Sequence, residues 1–90
     1  MKRVLVRYSG RVQGVGFRAT ARQIAGGFKV SGWVKNTSDG GVELVVAAEA
    51  AELEAFLKAI RDSPLGHKID REVQEDYDDA ALKGDFDIRY

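Results

Sequence analysis

Apolar and polar residues alternate over several stretches of the chain, and this period of two predicts β-strands. The first strand covers residues 3–8 and ends at Gly10, and the second covers residues 28–35. A third begins at Val42, directly after the run Asn36-Thr37-Ser38-Asp39-Gly40, whose residue types are typical of a turn. Because this turn joins two alternating stretches, we predict that the second and third strands form a hairpin.

Two further stretches have the period of an amphipathic helix. The first runs from Phe17 to Ala25 and stops at the pair Gly26-Gly27. In the second helix, apolar residues stand at i, i+3, i+4 and i+7, namely Leu53, Phe56, Leu57 and Ile60. Acidic residues lie in its early turns and basic residues near its end, as the helix macrodipole prefers, and Ser63-Pro64-Leu65-Gly66 ends it.

The last part of the chain predicts two more strands. Ile69, Val73 and Tyr77 mark one strand of imperfect alternation, and residues 86–90 alternate as a terminal strand. The order is then β-α-β-β-α-β plus a terminal strand. We predict one domain over residues 1–90 with an α+β, ferredoxin-like fold, in which two helices cover one face of a mostly antiparallel sheet. That fold hosts many functions and identifies none.

Composition narrows the class of protein. The chain has 90 residues, 44% of them hydrophobic and 31% charged, which fits one globular domain and excludes a multidomain enzyme. It has no cysteine, and therefore no disulfide, thiolate nucleophile or cysteine-based zinc site. No run approaches the roughly 18 apolar residues of a membrane helix, and the N-terminus has no signal-peptide pattern. We expect a cytoplasmic protein without a membrane partner.

The net charge of zero conceals an asymmetry. Residues 1–38 contain eight Lys and Arg and no acidic residue, whereas residues 39–90 contain all 14 Asp and Glu and six basic residues. A basic, glycine-rich half suggests an anion site, although charge alone also fits two solvated faces.

The stretch Gly10-Arg11-Val12-Gln13-Gly14-Val15-Gly16-Phe17-Arg18 leaves a strand and enters a helix. Free backbone amides and the positive end of the helix dipole favour an anion there, and the glycines let successive amides face one point. A cation in the first helical turn is electrostatically misplaced unless an anion lies between it and the amides. Arg18 therefore predicts a bound phosphate, whose oxygens its planar guanidinium matches.

Two other glycine motifs do not fit. Residues 14–19 match the dinucleotide fingerprint, but the acidic residue expected about 20 positions further on is missing, and the chain is too short for that fold. A phosphate-binding loop of the G-x-x-x-x-G-K-[ST] type is absent. The acidic run of residues 76–79 predicts a solvated loop, and His67 a surface residue. We predict no metal site and no cofactor.

Asn36 stands where the second strand gives way to the turn. Turn formation alone accounts for an asparagine there, but its amide both donates and accepts and can orient a water molecule. Trp33 and Phe17 are interpreted as packing residues.

Together, the Gly10–Arg18 motif and the run Gly32-Trp33-Val34-Lys35-Asn36, continued by Asp39-Gly40-Gly41-Val42-Glu43, resemble the two signatures of the acylphosphatases. The resemblance spans the chain. It implies hydrolysis of small-molecule acyl phosphates, with inorganic phosphate or sulfate as competing anions. It implies that Arg18 clamps the phosphate and that Asn36 orients the attacking water. It further implies a phosphate cradle of backbone amides at Gln13, Gly14, Val15, Gly16, Phe17 and Arg18. Lys35 departs from the arginine frequent in the family, which does not affect Arg18 or Asn36.

Alternatives remain open. The basic first half would suit an RNA-binding ferredoxin-like module, but the aromatic strand of an RNA-recognition sheet is missing, so we expect no nucleic-acid partner. An anion sensor with the same fold would bind phosphate without turnover. The related domain of hydrogenase maturation proteins belongs to much longer chains with zinc segments. No exposed heptad or long apolar stripe is present, which favours a monomer.

Overall fold

The computed structural model describes residues 1–79, 81–82 and 84–90. Its regular elements are five strands, two α-helices and one short 3-10 helix. These are β1 (Lys2–Gly10), α1 (Phe17–Ala25), β2 (Ser31–Asn36), β3 (Val42–Ala48), α2 (Ala50–Asp62), the 3-10 helix (Pro64–Lys68), β4 (Ile69–Asp76) and β5 (Phe86–Arg89).

The five strands form one sheet in the order β4-β1-β3-β2-β5. β1 pairs antiparallel with β3 and β4, and β2 pairs antiparallel with β3 and parallel with β5. The predicted α+β, ferredoxin-like arrangement with a terminal strand is confirmed. Since β1, β2 and β5 run in the same direction, their carboxyl ends lie at one edge of the sheet. The segments that follow these three strands therefore meet there.

The main core lies between the two helices and one face of the sheet. α1 buries Phe17, Ala21 and Ala25, at the spacing that predicted this helix. In α2, the fully buried ring of Phe56 lies 5.9 Å from that of Phe28 and 5.5 Å from that of Phe86, between centroids. These contacts hold α2 against the segment before β2 and against β5.

The opposite face of the sheet carries a smaller apolar cluster. Leu5, Trp33 and Val45 are buried there, with Tyr77 and Leu82 packed over them. Both Tyr77 and Leu82 follow β4 and precede β5 in the sequence. Trp33 is a packing residue, as predicted, but on the side of the sheet away from the helices.

The second strand begins later than the alternation predicts. Residues 28–30 are not part of β2, which starts at Ser31. The amide of Lys29 donates to a carboxylate oxygen of Glu52 in α2 at 2.7 Å, and Phe28 packs on the helix side of the sheet. The prediction over Phe28–Val30 was wrong because alternation does not reveal that the backbone there bonds to a helix side chain.

Most of the residues predicted to lie on the surface are exposed in the structure. His67 is exposed in the 3-10 helix. Asp76 is the last residue of β4, so the predicted acidic loop begins one residue later than expected.

Within the described ranges, no three His, Cys, Asp or Glu side chains come together as metal ligands. None of the helices there is long and apolar enough to cross a membrane.

Candidate active site

The loop between β1 and α1 curls because two of its glycines adopt left-handed backbone conformations. Gly14 has φ 75° and Gly16 has φ 76°, and Gly16 is the N-cap residue directly before α1. A glycine at that position supplies no side-chain cap, and the first turn of α1 contains no acidic residue. The amides of this first turn therefore lack a local side-chain acceptor, and the helix dipole adds positive potential at the same point.

Phe17 fixes the start of the helix against the sheet. Its ring is buried, with its centroid 5.0 Å from that of Tyr8 in β1. The prediction that Phe17 packs is confirmed. The loop is thus anchored on both sides, by β1 at its start and by Phe17 at its end.

Arg18 is the second residue of α1 and reaches toward the end of β5. Its Nη1 donates to the backbone oxygen of Arg89 at 3.3 Å, and its guanidinium carbon lies 4.7 Å from the ring centroid of Tyr90. A guanidinium has five N–H donors, so one bond to a carbonyl leaves the others for an anion. Among the described residues that line the cleft at this edge of the sheet, Arg18 has the single charged side chain.

Arg89 contacts Trp33, which lies on the face of the sheet away from the helices. Its guanidinium carbon lies 4.7 Å above the ring of Trp33, which the Nζ of Lys35 also approaches at 5.4 Å. Lys35 and Arg89 are register partners in the parallel β2–β5 pair. Cation–π contacts of this kind add stability where the ring is buried, as Trp33 is. The carbonyl oxygen that accepts the hydrogen bond from Arg18 therefore belongs to a residue whose side chain packs on Trp33.

Asn36 is the last residue of β2 and enters a tight turn that a local network stabilises. The amide of Thr37 donates to the oxygen of Gly41 at 2.9 Å. The amide of Gly41 donates in return to the Thr37 hydroxyl at 3.1 Å and to the Asp39 carboxylate at 3.2 Å. Hydrogen bonds from the Thr37 hydroxyl and from the Gly41 amide lower the pKa of Asp39 below its ordinary value. The network therefore favours the ionised form of Asp39, and it weakens as the pH falls through the lowered pKa.

The cradle and the turn meet in one cleft. It has a volume of about 180 Å³ and is lined by Val12, Gly14, Gly16, Phe17, Arg18, Ala19, Asn36, Ile88 and Tyr90. Arg18 and Asn36, which are 18 positions apart in the sequence, thus line the same space. Gln13 and Val15 are not in this lining, and Val15 is 38% exposed. The proposed participation of their amides stays a prediction.

Ile88 and Tyr90 are lining residues that sequence reasoning missed. Both were interpreted only as apolar positions of a terminal strand, and Tyr90 lies beyond the end of β5 with 98% of its surface exposed. The sheet topology accounts for their place in the cleft. Because β5 runs parallel to β2, its carboxyl end lies beside Asn36.

A larger groove lies beside the same turn but lacks the chemistry of the cleft. It has a volume of about 530 Å³ and includes Arg7, Arg71 and Glu43. Arg7 is already paired, with its Nη1 2.8 Å from a carboxylate oxygen of Glu75 and its Nε 3.3 Å from one of Glu43. We place the candidate site in the smaller cleft. Unlike the groove, this cleft combines a helix N-terminus with an arginine that has no carboxylate partner in the described ion pairs.

The chain is similar to known acylphosphatases in sequence and in fold. The acylphosphatase family model matches residues 4–88. An acylphosphatase of Salinibacter ruber is 42% identical over 80 residues, which cover 89% of this chain and 83% of that protein. The crystal structure of an acylphosphatase from Bacillus subtilis superposes with a TM-score of 0.88 and 33% identity over the full length of both chains. A structure of HypF from T. kodakarensis superposes with a TM-score of 0.86 and 31% identity, over all of this chain and 12% of that one.

The fold and the cleft define a small α+β protein with a candidate anion-binding site at the start of α1. The family match and the identities place the chain more narrowly: it belongs to the acylphosphatase family. The activity of the family is hydrolysis of the carboxyl–phosphate bond of acyl phosphates, an acid-anhydride hydrolysis.

Proposed function

We propose that the cleft binds the phosphoryl group of an acyl phosphate, with Arg18 and Asn36 as its catalytic residues. The observation that carries this proposal is that both residues line one cleft at the N-terminus of α1. In this proposal the amides of residues 13–18 hold the phosphoryl oxygens, and the guanidinium of Arg18 takes two of them in its planar fork. Charge-assisted hydrogen bonds of this type are stronger than neutral ones.

Asn36 orients the attacking water. Its side-chain oxygen accepts one proton of the water, which directs a lone pair of the water oxygen toward phosphorus. As the new P–O bond forms, the bond between phosphorus and the acyl oxygen breaks, and the carboxylate leaves with the electron pair. One proton of the water passes to a phosphoryl oxygen and the other stays on the attacking oxygen, so the products are a carboxylate and dihydrogen phosphate.

This chemistry requires little acid or base assistance. The leaving group is a carboxylate, which is stable as an anion at neutral pH, and phosphoryl transfer is catalysed largely by positioning and electrostatic stabilisation. A phosphoryl oxygen serves as the proton acceptor. We therefore propose a reaction without metal, cofactor or covalent intermediate, in which the exposed His67 takes no part.

We also propose that the protein acts in the cytoplasm as a monomer. The edge strand β4 supports the second part of this proposal, because most of its exposed positions carry charged side chains (Asp70, Arg71, Glu75 and Asp76). Charged residues on an edge strand oppose pairing with a second chain. The other edge strand, β5, has only four residues.

A benzoyl phosphate assay tests the nature of the site. We expect inorganic phosphate and sulfate to inhibit competitively, because each would occupy the cradle, and EDTA to leave the rate unchanged. Initial rates at varied substrate and anion concentrations check the first expectation, and prolonged dialysis against EDTA checks the second. Non-competitive inhibition would place the anion elsewhere, and a strong loss with EDTA that Mg²⁺ or Zn²⁺ restores would contradict the metal-free reaction.

A further inference from the structure

The side chain of Gln13 makes two strong contacts far from it in the sequence. Its Nε2 donates to the backbone oxygen of Thr37 at 2.7 Å and to that of Gly41 at 2.8 Å. Both protons of one amide group are therefore used, and the side chain is half-buried. These bonds span 24 and 28 positions of sequence.

The two acceptors are the carbonyls that close the β2–β3 turn. Thr37 directly follows Asn36, and its amide donates to the oxygen of Gly41. At the other end, Gln13 directly precedes Gly14, the first of the two left-handed glycines in the cradle. The carboxamide thus joins the loop that would hold the phosphate to the turn that carries Asn36.

We infer that Gln13 is a positioning residue that sets the separation between the phosphate in the cradle and the water held by Asn36. The inference rests on the proposed function of this cleft. A reacting pair must be held about 3–3.5 Å apart with its orbitals aligned, and a displacement of about 1 Å can cost on the order of 100-fold in rate. The cradle and Asn36 lie on different loops, so a direct bond between those loops is what fixes this distance.

Loss of the Gln13 side chain should affect kcat and the inhibition constant for phosphate differently. The amides at the start of α1 stay in place without the Gln13 side chain, because Phe17 anchors them against Tyr8. Phosphate binding should then persist, whereas water orientation should not. Gln13→Leu removes both donors without adding charge. We expect its kcat to fall by about 10- to 100-fold and its inhibition constant for phosphate to change by less than about threefold.

A double-mutant cycle with Asn36→Ala is the closing experiment, with benzoyl phosphate as substrate and inorganic phosphate as the binding probe. If Gln13 acts through Asn36, then Gln13→Leu costs nothing further in the Asn36→Ala background. Gln23→Leu is the matched control, since Gln23 is exposed on α1, and we expect it to leave kcat unchanged. A full additional loss in the double variant, or a parallel loss of turnover and phosphate binding, would overturn the inference.

Gln13→Glu provides a second readout in case the leucine variant unfolds. At neutral pH its carboxylate faces two carbonyl oxygens and repels them, whereas the protonated acid can donate to one of them. We expect its kcat, relative to wild type at the same pH, to rise as the pH falls. No such recovery would count against the inference. Wild-type turnover by Asn36→Ala alone would instead refute the proposed role of Asn36.

Discussion

Arg18→Gln is expected to abolish measurable turnover and to weaken phosphate inhibition at the same time. The guanidinium would bind the phosphoryl oxygens both in the ground state and in the transition state. Removing such a preorganised donor costs about 10²–10³ in kcat, and loss of the net charge adds to this. Two charge-assisted bonds at about 1.5–3 kcal/mol each make the expected rise in the phosphate inhibition constant about 100-fold or more.

Steady-state kinetics with benzoyl phosphate and inorganic phosphate measure both effects on the same preparations. Arg22→Gln is the matched control, because it removes one positive charge from the exposed last turn of the same helix. His67→Ala is a second control, and both variants should retain activity. Equal losses in Arg18→Gln and Arg22→Gln would mean that the general positive potential, and not the clamp, binds the phosphate.

Asn36→Ala is expected to separate binding from chemistry. Alanine removes the amide that would orient the water and leaves the cradle and Arg18 untouched. We expect the inhibition constant for phosphate to stay within about threefold of wild type, while kcat falls by on the order of 10²–10³, the usual cost of losing a positioned polar group in an active site.

Isothermal titration with phosphate and single-turnover kinetics check this division. Ser38→Ala is the control, since Ser38 is an exposed polar residue of the same turn. Wild-type rates in Asn36→Ala would end the assignment of water positioning to this residue. A large loss of phosphate affinity would show instead that Asn36 shapes the cradle.

The fold could be predicted largely because its local signals agree. Helix α1 begins at Phe17 and ends at Ala25, as apolar spacing and flanking glycines predict. Strand β4 forms despite its imperfect alternation, because an edge strand needs to bury few side chains. The first strand and the hairpin follow from alternation with one face toward the core.

The candidate site could be predicted in part for a similar reason. Its glycines and Arg18 are adjacent in sequence, so a local motif contains most of the cradle. The match of Asn36 to a family signature, and not its own pattern, indicated its role. The structure adds that both line one cleft.

Other parts of the site depend on long-range contacts that no local pattern records. Arg18 reaches the carbonyl of Arg89, 71 positions away, because β5 pairs parallel with β2. Gln13 has no feature in the sequence that distinguishes a side chain bonded to a distant turn from one exposed in a loop. The start of β2 was misplaced for the same reason, since the bond from Lys29 to Glu52 joins elements 23 positions apart.

Hydrolysis of benzoyl phosphate in ¹⁸O-labelled water tests the central claim, that the cleft holds the phosphoryl group for attack by water at phosphorus. Mass spectrometry of both products locates the label. We predict one ¹⁸O in the phosphate and none in the benzoate. Label in the benzoate would mean that water attacks the carbonyl carbon, and the roles proposed for Arg18 and Asn36 would be contradicted.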